Sequence, residues 1–152
     1  MANRIVVDTN VFIEAVFGEE TSDSANLLAM LDGTEVRLVF SQESIGELMY
    51  IFKRHCNKLH MNYEETKETL SLLTDFFQLG KSINTRNIDK RAIEQINDPD
   101  DQMFVDAAYS SDSSHIITLD KKSGILDLGK VPFVCCTPTE FLLSLDDEND
   151  SD

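Results

Sequence analysis

Arg4-Ile-Val-Val-Asp8 runs without a break into Thr9-Asn-Val-Phe-Ile-Glu-Ala-Val-Phe17, and Gly18 follows. The first part is short, apolar and β-branched, as a strand buried on both faces should be. The second part reads as a helix, and Gly18 breaks it. A buried strand feeding directly into a helix is half of a βα unit, and the alternation continues down the chain. A second helix is predicted over 22–31, ended by Asp32-Gly33, and a second strand over 36–40. Ser41 is placed to cap an amphipathic helix from Gln42 to about His60, with Leu48, Ile51 and Phe52 on its apolar face. Asn62-Tyr-Glu-Glu65 has the form of a capping box and opens a helix that Gly80 stops. Further strands are expected at 83–85, at 115–119 and within 131–137. Helices are expected at 89–96, at 101–110 and from Pro138 onward, with a brief turn or helical piece at Ser123.

Strands separated by helical segments need crossover connections, hence a mostly parallel sheet covered on both faces. The expected fold class is α/β, a single-domain three-layer sandwich with that sheet at its centre. The expected domain covers 1–145, and 146–152 is an acidic segment expected to be a disordered tail.

With 152 residues, 41% hydrophobic and 27% charged, the chain can bury one sizeable core. Its apolar runs are too short to span a bilayer, and Met1-Ala-Asn-Arg4 leads straight into a strand without a secretory signal. A cytoplasmic protein with no membrane partner is expected. Cys56, Cys135 and Cys136 lack the spacing of a zinc site or a disulfide framework and read as buried thiols. Net charge is −15, and removing the five acids after Leu145 still leaves 23 acids against 13 bases. Such a balance opposes simple electrostatic attraction to nucleic acid.

Against that background, four acids stand where a metal-binding site would need them. Asp8 ends the first strand, and Glu47 lies in Ser41-Gln-Glu-Ser-Ile-Gly-Glu-Leu-Met49. Asp101 lies in Asp98-Pro-Asp-Asp-Gln-Met-Phe104, and Asp120 ends His115-Ile-Ile-Thr-Leu119. In open α/β sheets the functional crevice lies outside the carboxyl ends of the strands, so all four can meet at one edge. Each also has a bland reading. Asp8 can cap a helix, Glu47 can be solvated, Asp101 can answer a helix dipole, and Asp120 can be a turn residue. Asp98, before Pro99, reads as a turn or cap, and Asp106 as at most a support behind the acids. Lys53, Arg54, His55, Lys58 and His60 form a basic helix end, and Arg86, Lys90 and Arg91 a smaller basic group; either can be plain solvated surface or a contact for RNA phosphates.

Val6-Val-Asp-Thr-Asn-Val-Phe12, the embedded Glu47, Asp98-Pro-Asp-Asp101 with Phe104, and Ile116-Ile-Thr-Leu-Asp120 together resemble the PIN domain, named from the PilT N-terminus. The nearest branch is that of toxin components of toxin–antitoxin systems, and the likeness runs from about Arg4 to Leu143. The resemblance implies a Mg2+- or Mn2+-dependent endoribonuclease with Asp8, Glu47, Asp101 and Asp120 as metal-holding and catalytic acids. It implies supporting roles for Asn10 and Thr118. Leu119 departs from the family's usual Gly or small polar residue. The implied partners are RNA as substrate, an antitoxin protein and a second copy of the chain in a homodimer.

The implied chemistry is attack of water on the RNA phosphodiester, giving 5′-phosphate products without a His or Ser nucleophile. A non-catalytic PIN-like binding or scaffold module is the alternative. An unrelated α/β phosphatase or receiver domain is a third reading. Asp8-Thr-Asn10 lacks the second acid that phosphatase chemistry usually wants, and no paired acids precede an acceptor strand.

Overall fold

In the computed structural model, which describes residues 3–86 and 88–150, five parallel strands form one sheet in the order β3-β2-β1-β4-β5. These are β1 (Arg4–Val7), β2 (Arg37–Ser41), β3 (Lys81–Ile83), β4 (His115–Ile117) and β5 (Val134–Cys136). The helices are α1 (Thr9–Phe17), α2 (Asp23–Met30), α3 (Gln42–Lys58), α4 (Tyr63–Leu79), α5 (Gln102–Ser111) and α6 (Pro138–Asp150).

Strand periodicity divides the core. Ile5 and Val7 of β1, Leu38 and Phe40 of β2 and Ile117 of β4 face one way, toward Val11, Phe12, Leu27, Leu48, Phe52, Leu73 and Phe141 of α1, α2, α3, α4 and α6. Val6, Val39 and Ile116, the residues between them, face the other way, toward Phe104, Val105, Ala107 and Ala108 of α5 and toward Ile93 and Ile125. Alternate side chains of one strand thus fill two apolar layers, which is why the strands read as unbroken apolar runs. The result is the expected α/β sandwich of three layers.

Helix starts follow the sequence closely. Ser22, Ser41 and Asn62 each accept a hydrogen bond from the third helical N–H, and Ser41 and Asn62 complete capping boxes with Ser44 and Glu65. Gly80 ends α4 where an added Cβ would lie 2.5 Å from the Phe40 ring, so only glycine lets the chain turn this closely against β2 into β3.

The helix expected at 89–96 is instead a single 3-10 turn, Lys90–Ala92. Side-chain bonds hold this backbone in place of a helical ladder. Asp89 accepts from the Arg91 N–H at 3.0 Å, Gln102 Oε1 accepts from the Ile96 N–H at 2.9 Å, and Gln102 Nε2 donates to the Glu94 carbonyl at 3.1 Å. The third strand pairs at Lys81–Ile83, earlier than expected, because β3 registers with Val39–Ser41 directly after Gly80. The acidic segment begins inside α6, which continues through Asp146 and Asp147 to Asp150; Ser151 and Asp152 lie outside the described residues. Among the described residues no helix is long and apolar enough to cross a membrane.

Candidate metal centre

The strand order reverses between β1 and β4. From β1 the chain moves outward to β2 and β3, then returns through α5 to the other side of β1. A switch of this kind opens a crevice at the carboxyl ends of the two central strands. Asp8 follows β1 there and Asp120 follows β4. The two ends are tied by the Asp8 N–H donating to the Ile117 carbonyl at 2.9 Å.

Asp8 is buried, with 3% of its surface exposed. Although it occupies the cap position of α1, its side chain makes no capping bond to the helix. Its Oδ2 instead accepts from the Thr118 hydroxyl at 2.6 Å and from Asn10 Nδ2 at 3.2 Å. Burial lifts the carboxyl from 3.8 to about 6; the bonds from the Thr118 hydroxyl and the Thr9 N–H oppose the rise, and the charges of Glu47 and Asp120 add to it.

Asp101 likewise stands at the cap position of α5 without a capping bond. Its carboxyl is pushed up to about 7, by burial first and then by Asp8, Asp98, Asp120 and Glu47. Neither carboxylate makes the side-chain capping bond that the bland readings require, although the Thr9 N–H at the start of α1 reaches Asp8. Each is acted on by the other acids of the group.

Thr118 and Asn10 bind the two halves of the site together. The Thr118 hydroxyl donates to Asp8 and accepts from the Asp120 N–H at 3.0 Å. Asn10 donates to Asp8 and, through Oδ1, accepts from the Leu119 N–H at 3.1 Å. Leu119 enters this network through its backbone, while its side chain packs on the apolar layer beneath. The departure from a small residue there leaves the hydrogen bonding intact. Asp120 accepts from the Lys122 N–H at 2.8 Å through Oδ1.

Two residues join the site that the sequence did not single out for it. Asp98 makes the expected turn, accepting from the Asp100 N–H at 3.0 Å. Carboxylate oxygens of Asp98, Asp101 and Asp120 nevertheless lie within 4.8 Å of one another. Thr9 donates to Glu47 Oε2 at 2.7 Å. The Asp98-Pro99 signal favoured a turn or cap and left a place in the site open, and nothing in the local pattern of Thr9 pointed across to α3. Asp106 accepts from Gln102 Nε2 at 3.1 Å and does not belong to the group of three.

The donor set is entirely carboxylate oxygen, which fits a hard divalent cation and lacks the Cys and His that zinc prefers. Repulsion within the set gives the same answer, since a cation is what lets the acids ionise together.

Of the candidate basic groups, His55 stacks on Phe17 with ring centroids 4.4 Å apart, which gives it a packing role in α3. Arg86 Nη2 donates to Gln42 Oε1 at 3.2 Å, at the start of α3. The side chain of Lys90 lies outside the described residues.

A sheet switched between β1 and β4, with three carboxylates grouped at the switch, defines an α/β protein with an acidic cluster that could hold a cation. The sequence model of the PIN domain matches residues 4–122, and the chain belongs to that family. The reading as an unrelated phosphatase or receiver domain is thereby set aside. No curated protein is significantly similar in sequence. Among solved structures, a chain of VapBC2 from Rickettsia felis, crystallised bound to a DNA fragment from their promoter, superposes with a TM-score of 0.56. The match covers 88% of this chain and 98% of that one at 13% identity, a likeness of fold.

Proposed function

We propose that the protein is a metal-dependent endoribonuclease whose site is Asp8, Glu47, Asp101 and Asp120, with Asn10 and Thr118 in support. The observation that carries this reading is the group of Asp98, Asp101 and Asp120 within 4.8 Å of one another at the switch point, with the charges of Asp8 and Glu47 acting on Asp101 from outside that group. Bound Mg2+ or Mn2+ would supply an activated water and offset the charge of the phosphate. Asp101 and Asp120, with Asp98 beside them, would hold the cation, and Asp8 and Glu47 would complete its ligands directly or through water. Asn10 and Thr118 keep Asp8 turned into the crevice by occupying one of its oxygens. An ionised carboxylate of the group accepts the proton of the attacking water.

The partners follow from charge and fold. A chain of net charge −15 suits a basic protein partner better than a long phosphate track. The Rickettsia felis complex is VapBC2, and we read the present chain as the toxin of a comparable pair, held by an antitoxin. We assign it to the cytoplasm as a homodimer; light scattering of the purified chain at its monomer mass would overturn the dimer.

The deciding experiment is cleavage of mixed RNA with Mg2+ or Mn2+, with and without chelator, by the wild type, Asp8→Asn and Asp101→Asn. The expected result is cation-dependent cleavage to 5′-phosphate ends, lost in both variants. Ends carrying 2′,3′-cyclic phosphate would overturn the water attack. Intact RNA with a bound cation would favour a non-catalytic PIN-like binding module.

A further inference from the structure

Glu47 differs from its neighbours in how it is held. Asp8, Asp101 and Asp120 are short side chains set at strand ends and a helix start. Glu47 sits inside α3 on a longer and more mobile side chain, yet its charge acts on both Asp8 and Asp101. Something must keep it turned toward them.

Thr9 is placed to do this. It is the first residue of α1 and is buried, and it reaches 38 positions along the chain to donate from Oγ1 to Glu47 Oε2 at 2.7 Å. An ionised carboxylate only accepts, so the direction of this bond is fixed. The Thr9 N–H also helps hold the Asp8 carboxylate. One residue at the β1–α1 junction therefore holds two of the acids, with its backbone on Asp8 and its side chain on Glu47.

We propose that Thr9 is a positioning residue: its hydroxyl holds Glu47 turned toward Asp8 and Asp101, with Oε1 left for a ligand. The consequence for cation binding rests on the nuclease reading; the ordering of Glu47 does not. A purely local role, in which a buried hydroxyl simply finds an acceptor, would affect stability and leave Glu47 where it is.

The test compares Thr9→Val, which keeps the shape and removes the hydroxyl, with Thr9→Ser, which keeps the hydroxyl; Thr9→Ala replaces the Val variant if that chain does not fold. Carbon-13 relaxation of the Glu47 side chain in the cation-free protein is the first readout. Mn2+ affinity by electron paramagnetic resonance is the second, each variant being repeated in a Glu47→Gln background. Expected are a loosened Glu47 and an Mn2+ affinity lowered about 10-fold in Thr9→Val, near wild-type values in Thr9→Ser, and no further loss when Glu47 is already Gln. Unchanged Glu47 order in Thr9→Val, or an equal loss of Mn2+ affinity in both backgrounds, overturns the proposal. A wild type that binds no Mn2+ overturns the nuclease reading instead, and Glu47 order alone then decides the role of Thr9.

Discussion

Asp8 and Asp101 hold their protons more tightly in the folded chain than in the unfolded one, and the sign of the resulting pH dependence is fixed. Both carboxyls rise, from 3.8 to about 6 and about 7 respectively, so between those values the native state binds more protons than the unfolded state. Stability of the cation-free protein therefore falls as pH rises from about 4 toward 7. For buried Asp8 the ionisation cost above that window is on the order of 3 kcal/mol. Asp8→Asn, unfolded by denaturant at pH 8 in chelator, should be more stable than wild type by up to about that amount, and the difference should vanish near pH 4. A variant less stable than wild type at pH 8 would contradict the cost of ionising the buried Asp8 carboxyl. Because ionised ligands are required, added Mn2+ should raise the melting temperature of the wild type more at pH 8 than at pH 5.5, and should not raise that of Asp8→Asn. Asp8, Asp101 and Asp120 drew attention in the sequence because each follows a strand or stands at a helix start, and Glu47 because it lies one to two turns into the helix after β2. The parts played by Thr9 and Asp98 could not be read there, since both depend on side chains that only the tertiary fold brings together.

Two glycines show how differently one residue type acts in an element. Gly46 lies within α3, exposed, with nothing within 4 Å of where a Cβ would stand. Gly46→Ala should stabilise the protein by about 0.5–1 kcal/mol, a rise of a few degrees in melting temperature. Gly80→Ala places a methyl against the Phe40 ring and the Leu38 carbonyl, and should destabilise by about 1–3 kcal/mol. Thermal unfolding of the two variants should move in opposite directions; a shift of the same sign would mean the α4–β3 junction relaxes freely. Elements with strong local signals were legible in the same way. The Ser41 cap marked the start of α3 closely, and the Asn62 capping box and the Gly80 stop marked both ends of α4. The segment before α5 was not legible, because Asp89 and Gln102 bind its backbone directly and no hydrophobic period reports such bonds.

At the scale of the whole molecule, an acidic chain acting on RNA must do so through few phosphate contacts. The cations best placed for the crevice are Lys121 and Lys122, which follow Asp120, and Arg86, anchored on Gln42 at the start of α3. Lys53, Arg54 and Lys58 are eleven or more residues further along that helix, roughly 16 Å or more from its start at 1.5 Å per residue. Three phosphate contacts on a single strand give a slope of about −2 for the logarithm of affinity against the logarithm of salt. On the nuclease reading, titrating a labelled RNA against the Asp101→Asn chain between 50 and 200 mM monovalent salt should return a slope of about −2 or shallower. Replacing Lys121 and Lys122 together by Gln should flatten it further, to about −0.7, whereas replacing Lys53 and Lys58 should leave it unchanged. A steep slope that disappears only on removing the α3 lysines would place the RNA along the far end of that helix, away from the carboxylates.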